Sequence, residues 1–290
     1  MSDDPRAGPP PGDPLAPSAA AATLEAIRAR TPLIHNLTNL VVTNSTANAL
    51  LALGASPAMV EGVEEVAEFA ALADALVVNL GTMSGARARA MRLAAAAARA
   101  AGRPWVLDPV AVGVIEFRSS VAAALLDEGP AVVRGNASEI LALARLSGAS
   151  ASEGPAGRGV DSRAGAEQAL AAAAALARRS GAAVVVSGAT DYATDGQAVA
   201  AIGNGHPLMP RVTGLGCTAS AIIAACLAVR SDRLAAAAHG MVLTGLAGEL
   251  AGAASPGPGS LQVALLDALY GLTPAIVRER GRLGRAALSA

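Results

Sequence analysis

The chain has 290 residues, 22 basic and 23 acidic side chains, and a formal net charge of −1 at pH 7. This balance argues against nucleic acid or an anionic membrane surface as the main partner, because both attract a basic excess. Hydrophobic residues make up 53% of the chain and charged residues 16%, so a large buried core is possible and disorder throughout is excluded. No stretch approaches the roughly 20 consecutive apolar residues of a membrane helix.

Every basic residue is an arginine, and the chain contains no lysine. A Walker A loop, a Schiff-base enzyme and a protein-kinase fold each depend on a lysine. If the protein handles nucleotide phosphates, arginine, backbone N–H groups and a metal ion must hold them.

Residues 1–18 are predicted to form a disordered tail, because they begin with a Pro- and Gly-rich stretch that lacks the apolar core of a signal peptide. Cys217 and Cys226 lie nine positions apart, which fits neither a zinc site nor a disulfide framework and predicts a cytoplasmic, reducing setting. Residues 19–282 are predicted to form a single domain, with 147–159 as a loop and 283–290 as a C-terminal tail.

Short apolar runs alternate with longer Ala- and Leu-rich segments, and continuous apolar runs are typical of strands covered on both faces. The predicted strands are 33–35, 75–79, 104–107, 131–133, 183–187 and 198–202. The predicted helices between them are 43–53, 64–72, 86–101, 121–127, 138–146 and 163–179. The last third is predicted to be helical only, over 216–229, 234–253 and 261–280. This order predicts an α/β fold with a mostly parallel central sheet flanked by helices and a helical C-terminal part.

A Gly-x-Gly-Cys segment, Gly214 to Cys217, precedes an apolar helical run. Glycines allow close backbone approach to a ligand, and a helix N-terminus offers free N–H groups to an anion. Cys217 falls in the first turn, where the helix field favours a thiolate. An ordinary loop with a small buried cysteine would show the same pattern, so the segment alone leaves both interpretations open.

Two charged residues end predicted strands. Arg134 precedes a helix start at which Asn136 and Glu139 form a capping-box pattern, and that pattern leaves Arg134 unexplained. A permanent cation at the carboxyl end of a buried strand indicates an anionic ligand there. Asp108 is either a turn residue before proline or a magnesium carboxylate, with Glu139 as a second ligand through water.

Four asparagines fall within thirteen positions, Asn36, Asn39, Asn44 and Asn48. Turns and caps explain the first two and leave Asn44 open, whereas Asn48 lies one helical turn after Asn44 and shares its face. This pattern predicts a polar lining of a site. Met59, further along the chain, is by composition a core residue.

These motifs, in this order, resemble the hydroxyethylthiazole kinase family. The resemblance covers about residues 20–280 and is carried by segments 36–48, 54–59, 79–82, 108–110, 134–139 and 213–217. It implies a ribokinase-like fold and ATP-dependent phosphorylation of the primary alcohol of 4-methyl-5-(2-hydroxyethyl)thiazole. That reaction belongs to thiamine biosynthesis and salvage and uses Mg²⁺.

The resemblance also implies roles for seven residues. They are Arg134 and Ser187 at ATP, Met59 and Gly214 at the thiazole, Asp108 and Glu139 at Mg²⁺, and Cys217 where most ribokinase-like kinases carry an aspartate base. The family is similar to a homotrimer with sites between subunits, which would place Met59 near a neighbour's Gly214 loop.

Three other functions compete with this one. A Cys217-dependent hydrolase or acyl transferase explains the cysteine but leaves Arg134 and Asp108 without a role. A related pyrimidine or vitamin-B6 kinase usually carries Gly-x-Gly-Asp in place of Gly-x-Gly-Cys. A non-catalytic binding protein of the same fold would have no need to keep Arg134, Asp108 and Glu139.

Overall fold

One mixed sheet of nine strands runs through the part of the protein that the computed structural model describes, residues 12–149 and 163–287. The strands are β1 (Leu33–Leu37), β2 (Ser56–Ala58), β3 (Ala75–Asn79), β4 (Trp105–Asp108), β5 (Val132–Asn136), β6 (Ala183–Ser187), β7 (Asp191–Thr194), β8 (Val199–Ile202) and β9 (Leu283–Ala286). Their spatial order is β2-β1-β3-β4-β5-β6-β7-β8-β9. The pairs from β2 to β6 are parallel, and those from β6 to β9 are antiparallel.

Helices cover both faces of the sheet. They are α1 (Pro17–Arg30), α2 (Thr43–Leu53), α3 (Val66–Leu72), α4 (Gly85–Ala100), α5 (Glu116–Leu126), α6 (Ala137–Leu146), α7 (Arg163–Ser180), α8 (Leu215–Leu227), α9 (Arg233–Ala253), α10 (Pro258–Gly271) and α11 (Pro274–Arg280). Two apolar cores result, one under α1, α2 and α8–α11 and the other under α3–α7. Adjacent strand residues enter opposite cores, as Val77 and Val78 do, which explains the continuous apolar strand sequences.

Helix α9 is long and apolar enough to cross a membrane, but 89% of its most apolar stretch is buried inside the fold. It packs against α8 and α10 as a core helix.

The predicted mostly parallel α/β sheet is confirmed, and several boundaries are corrected. Strands β2, β7 and β9 and helix α1 are absent from the predicted strands and helices. The predicted helix 261–280 is two helices, because Pro274 cannot continue α10 and instead begins α11. Strand β9 pairs with β8, so the predicted tail 283–290 is wrong over Leu283–Ala286. The loop prediction for 147–159 lies mostly outside the described residues.

The predicted disorder of residues 1–18 is also wrong at its inner end. Leu15 is 3% exposed, and α1 begins at Pro17. The Pro14 carbonyl lies 2.8 Å from Nε2 of His239, and because a carbonyl only accepts, the histidine is the donor. An apolar side chain in the core and one partly buried hydrogen bond to α9 therefore hold this segment in place.

Candidate active site

Polar side chains converge where neighbouring parallel strands end. Asn79 closes β3, Asp108 closes β4 and Arg134 lies in β5, while Asn39 follows β1 and Cys217 lies in the first turn of α8. Because the strands are parallel and adjacent, their carboxyl ends meet at one edge of the sheet, which is where open α/β sheets bind ligands.

Asp108 is a buried carboxylate with two side-chain donors. Its side chain is 1% exposed, and Oδ2 accepts from Asn79 Nδ2 at 2.7 Å and from Ser220 Oγ at 2.8 Å. Burial raises the pKa of Asp108, against the opposing effects of the Arg134 charge and the two hydrogen bonds. Keeping a buried carboxylate ionised costs free energy, and two hydrogen bonds hold this one in place. A buried carboxylate with a perturbed pKa and specific partners is a candidate functional group.

The Arg134 guanidinium makes no hydrogen bond within the described part of the protein. Its Nε is buried without a hydrogen-bond partner. Nη1 lies 2.6 Å from where a Cβ on Gly216 would stand, so a side chain there would displace the guanidinium. A cation without a hydrogen-bond partner among the described residues, next to a helix start, is suited to an anionic ligand.

The Gly-x-Gly-Cys segment forms the N-terminus of α8. Gly214 is the N-cap with φ +83°, and a Cβ there would lie 2.3 Å from Val42 Cγ1, so both conformation and space require glycine. The first-turn N–H groups, including that of Cys217, have no partner within the helix. The predicted anion-binding helix start is thus present.

The expected thiolate character of Cys217 is wrong. Burial and the negative charge of Asp108 raise the pKa of the thiol to about 11. Hydrogen bonds from Asn79 and Asn39 and the Arg134 charge act in the opposite direction but are weaker. Burial and the Asp108 charge therefore outweigh the field of helix α8, so Cys217 is a neutral thiol at physiological pH.

Glu139 combines a capping role with proximity to Asp108. The predicted capping box is confirmed, since Glu139 N donates to Asn136 Oδ1 at 3.0 Å and Asn136 N donates to Glu139 Oε2 at 2.9 Å. Glu139 Oε1 accepts from Ala111 N at 2.9 Å. Burial and the nearby Asp108 charge raise the pKa of Glu139.

The Asp108 and Glu139 carboxylates fit a sparse magnesium site. Among residues 12–149 and 163–287, no group of three or more His, Cys, Asp or Glu side chains is placed to hold a metal. Magnesium usually takes only one or two protein carboxylates and completes its shell with phosphate oxygens and water. Burial raises the pKa of both carboxylates, and the Asp108 charge adds to the effect at Glu139, so a bound cation would favour their charged forms.

A cavity of about 780 Å³ opens beside this cluster. It is lined by Arg134, Ser187 and Gly216 and by residues that include His206, Met241 and Thr244. Ser187 closes β6 and donates from Oγ to the Gly135 carbonyl at 3.3 Å. The volume and the mixed polar and apolar lining suit a nucleotide-sized ligand.

Four of the seven predicted site residues, Met59, Asp108, Glu139 and Cys217, do not line this cavity. Met59 follows β2, the outermost strand of the sheet, and is half-buried, and it is not among the residues that line the cavity. Gly214 does line the cavity. Within one subunit, therefore, the cavity has only one of the two predicted thiazole contacts.

Sequence reasoning missed Asn79 and Ser220 as partners of Asp108, and it explained Asn39 only as a turn residue. Asn39 Nδ2 donates to Asn79 Oδ1 at 2.9 Å and to Cys217 Sγ at 3.3 Å. The density of asparagines was the available signal, but strand order decides which of them reach the site. Asn48 donates to Asn44 at 3.0 Å on an exposed face of α2, so those two share a face as predicted.

Solved structures place the fold among ribokinase-like proteins. A pyridoxal kinase from Staphylococcus aureus, solved with ADP, superposes with a TM-score of 0.55 at 17% identity, over 75% of this chain and 87% of its own. A ribokinase-like superfamily protein from Enterococcus faecalis gives 0.56 at 14% identity, over 92% of both chains. These likenesses show that the fold is ribokinase-like.

The family follows from closer relatives. The profile of the hydroxyethylthiazole kinase family matches residues 24–275, and the chain belongs to that family. A hydroxyethylthiazole kinase from Granulibacter bethesdensis is 62% identical over 89% of this chain and 92% of its own, and one from Nitratidesulfovibrio vulgaris is 51% identical over 90% and 96%. The structure of the protein from Pyrococcus horikoshii superposes with a TM-score of 0.85 at 39% identity, over 93% of this chain and 99% of its own.

Proposed function

We propose that the protein transfers the γ-phosphoryl group of ATP to the hydroxyl of 4-methyl-5-(2-hydroxyethyl)thiazole. The observation that carries this proposal is the Arg134 guanidinium, which has no hydrogen-bond partner among the described residues and lies against the first turn of α8 at the cavity wall. A cation and free helix N–H groups at one point form a site for a phosphoryl group. The names of the close relatives supply the acceptor alcohol.

The arrangement suits the demands of phosphoryl transfer. The transition state is loose and highly charged, so catalysis depends on positioning and on charge stabilisation. Arg134 and the N–H groups of Leu215 to Cys217 would stabilise the transferring group, and Ser187 would contact ATP from the end of β6. No lysine is needed, in agreement with the composition.

Asp108 and Glu139 would hold Mg²⁺ together with phosphate oxygens. The bound ion would neutralise charge on the β- and γ-phosphates of ATP. Other residues orient the two carboxylates. Asn79 and Ser220 hold the Asp108 carboxylate in one orientation, and two backbone N–H groups hold Glu139.

The thiazole site would be completed by a second subunit. Gly214 lines the cavity while Met59 lies at the end of the edge strand β2, so one copy of Met59 would meet the Gly214 loop of a neighbour in a homotrimer. A thioether suits a small, neutral, sulfur-containing ring.

The hydrolase alternative lacks a base. The three histidines make hydrogen bonds elsewhere: His35 with Val60, His206 with Leu208, and His239 with Thr23 and Pro14. A cysteine nucleophile needs a depressed pKa or an adjacent base, and Cys217 has neither of them among the described residues.

A competition assay tests the acceptor. The protein is incubated with ATP, Mg²⁺ and equal amounts of the thiazole alcohol, a hydroxymethylpyrimidine and pyridoxal, and the phosphorylated products are measured by mass spectrometry. The thiazole phosphate should dominate from the first time points. Preferential phosphorylation of the pyrimidine or pyridoxal would overturn the proposed acceptor while leaving the kinase class standing.

A further inference from the structure

Two buried asparagines connect Asp108 with Cys217. Asn79 Nδ2 donates to Asp108 Oδ2 at 2.7 Å, and Asn79 Oδ1 accepts from Asn39 Nδ2 at 2.9 Å. Asn39 Nδ2 also donates to Cys217 Sγ at 3.3 Å. Asn39 is 6% exposed and Asn79 0%, so this connection runs through the protein interior. We call Asn39 and Asn79 the asparagine pair.

The surroundings fix the orientation of both amides. Asn79 Oδ1 also accepts from Gly81 N at 3.0 Å, and Asn39 Oδ1 accepts from Val41 N at 3.1 Å. Reversing either amide would set an NH₂ group against a backbone N–H, and reversing Asn79 would also set its oxygen against the Asp108 carboxylate. The two hydrogens of Asn39 Nδ2 have two acceptors, Asn79 Oδ1 and Cys217 Sγ, so this amide has no spare donor.

The backbone is shaped around the asparagine pair. A Cβ on Gly81 would lie 2.4 Å from Asn39 Cβ, so any larger residue at Gly81 would displace Asn39. Thr82 holds φ at +44°, which is unfavourable for a β-branched residue, and its Oγ1 accepts from Leu40 N at 3.0 Å. A backbone conformation of this kind persists only where the surrounding contacts hold it in place. The turns after β1 and β3 are therefore locked together.

We infer that the asparagine pair positions Asp108 and Cys217 as one unit for phosphoryl transfer, with Asn79 as the central positioning residue. Each amide makes directed hydrogen bonds to a group of the candidate active site, so its role goes beyond filling space. Phosphoryl transfer depends on placement, so loosening the unit lowers the rate of the chemical step more than the binding of either substrate. The inference rests on the proposed function.

Steady-state kinetics of Asn79 variants test the positioning role. Asn79→Ala should lower kcat roughly 10- to 100-fold, as loss of a supporting hydrogen-bond partner does at other sites, and should leave both KM values nearly unchanged. Asn79→Asp keeps the size and the acceptor for Gly81 N but presents an oxygen to Asp108, so it should be at least as impaired. Full kcat in Asn79→Asp would overturn the inference.

Thr194→Val is the matched control. Thr194 is 0% exposed, and its hydroxyl makes two hydrogen bonds, to the Ala198 carbonyl and from Gly196 N, in the turn after β7. Its loss should lower stability without changing kcat per folded molecule. If Thr194→Val lowered kcat as much as Asn79→Ala, the role of Asn79 would be structural only.

A double-mutant cycle tests whether the two asparagines act in series. Asn39→Ala should cause a smaller loss of kcat than Asn79→Ala, since Asn79 keeps its bond to Asp108. The double variant should be no slower than Asn79→Ala alone, because residues that act as a unit are not additive. Multiplication of the two losses in the double variant would contradict a single connected unit.

NMR of the protein labelled with ¹⁵N-asparagine gives a readout that does not depend on turnover. The side-chain NH₂ of Asn79 should exchange slowly with solvent, and Asn39→Ala or Cys217→Ala should shift its resonances, while those of the half-buried Asn48 on α2 stay unchanged. An unshifted Asn79 in both variants would overturn the inference. If the wild-type protein did not phosphorylate the thiazole, the proposed function would be overturned. The NMR result would then still decide whether the asparagine pair connects Asp108 with Cys217.

Discussion

At the scale of single residues, Arg134 carries the proposed phosphate site. Arg134→Lys keeps the charge but loses the planar fork that pairs two phosphate oxygens. We expect a rise in the KM for ATP and a fall in kcat/KM of at least about tenfold, equivalent to roughly 1.4 kcal/mol. Steady-state kinetics measure both, with Arg145→Lys on the exposed face of α6 as the control. Unchanged kinetics at low ATP would remove Arg134 from the site.

Cys217 has a limited part in the chemistry. A positioned general base contributes about 10²–10⁴-fold, but a thiol with a pKa near 11 is a poor base at neutral pH. Cys217→Ala should therefore keep measurable activity, with a kcat loss below about 100-fold and little change in the KM for the thiazole. Complete loss of turnover in a folded Cys217→Ala protein would show that the sulfur is essential.

Asp191 makes stability depend on pH. Burial raises its pKa from 3.8 to about 6, against a hydrogen bond from Gly188 N and the Arg134 charge. The folded state thus holds this proton more tightly than the unfolded state, so the contribution is fully present below about pH 4 and is lost as the pH rises through about 6.

Asp191→Asn should consequently stabilise the protein at pH 8 by about 1–3 kcal/mol, and the gain should vanish near pH 4. The asparagine oxygen still accepts from Gly188 N, so the turn is kept. Urea unfolding at the two pH values measures the difference, with Asp267→Asn, an exposed carboxylate on α10, as the control. A gain that is equal at both pH values would refute the assignment to Asp191.

At the scale of secondary-structure elements, Arg28 joins the C-termini of two helices. Its guanidinium donates to the Leu53 carbonyl at the end of α2 and to the carbonyls of Leu269, Tyr270 and Leu272 at the end of α10. A cation is favourable at helix C-termini, whose last carbonyls lack partners within the helix.

Arg28→Met should lower the free energy of unfolding by about 2–4 kcal/mol, because several carbonyls lose a charged donor. Chemical denaturation measures this, and Arg30→Met, at an exposed position two residues later, should change stability by less than about 0.5 kcal/mol. Equal effects of the two substitutions would show that the helix-end contacts contribute nothing.

The elements also show what the sequence could predict. Apolar strands such as β3 and β6 and the capping box at α6 are local patterns, and the structure has them where they were predicted. Strand β9 was missed because its sequence, with a glycine and an arginine, gains its strand conformation only from long-range pairing with β8. Helix α1 was missed because Pro- and Ala-rich residues around its start were assigned to a tail.

The candidate site was predictable to the extent that single motifs carry its chemistry. Asp108, Arg134 and Cys217 each lie next to a strand end or a helix start, and adjacent parallel strands bring them together. The asparagine pair was not predictable, because it depends on β1 lying beside β3 with β2 outside. The thiol pKa was mispredicted because helix position is visible in sequence, whereas burial and the nearby Asp108 charge are not.

At the scale of the whole molecule, the place of Met59 beside the edge strand β2 and outside the cavity fits the proposed sharing of sites between subunits. Light scattering at micromolar concentration should give a mass near three times 28.3 kDa. Met59→Glu should lower thiazole affinity, and mixing it with an Arg134→Lys protein should restore some sites in mixed trimers, because one site would then receive both intact residues. A stable, fully active monomer would contradict shared sites.

The proposed reaction is direct phosphoryl transfer from ATP to the thiazole alcohol at the Arg134 site. A quenched reaction followed by mass spectrometry tests this step, since ADP, the thiazole phosphate and the intact protein are measured in the same samples. Direct transfer predicts ADP and thiazole phosphate in a one-to-one ratio, with the protein mass unchanged during turnover. A covalent adduct on Cys217 that forms and decays at the turnover rate, or ADP formed without phosphorylated thiazole, would contradict it.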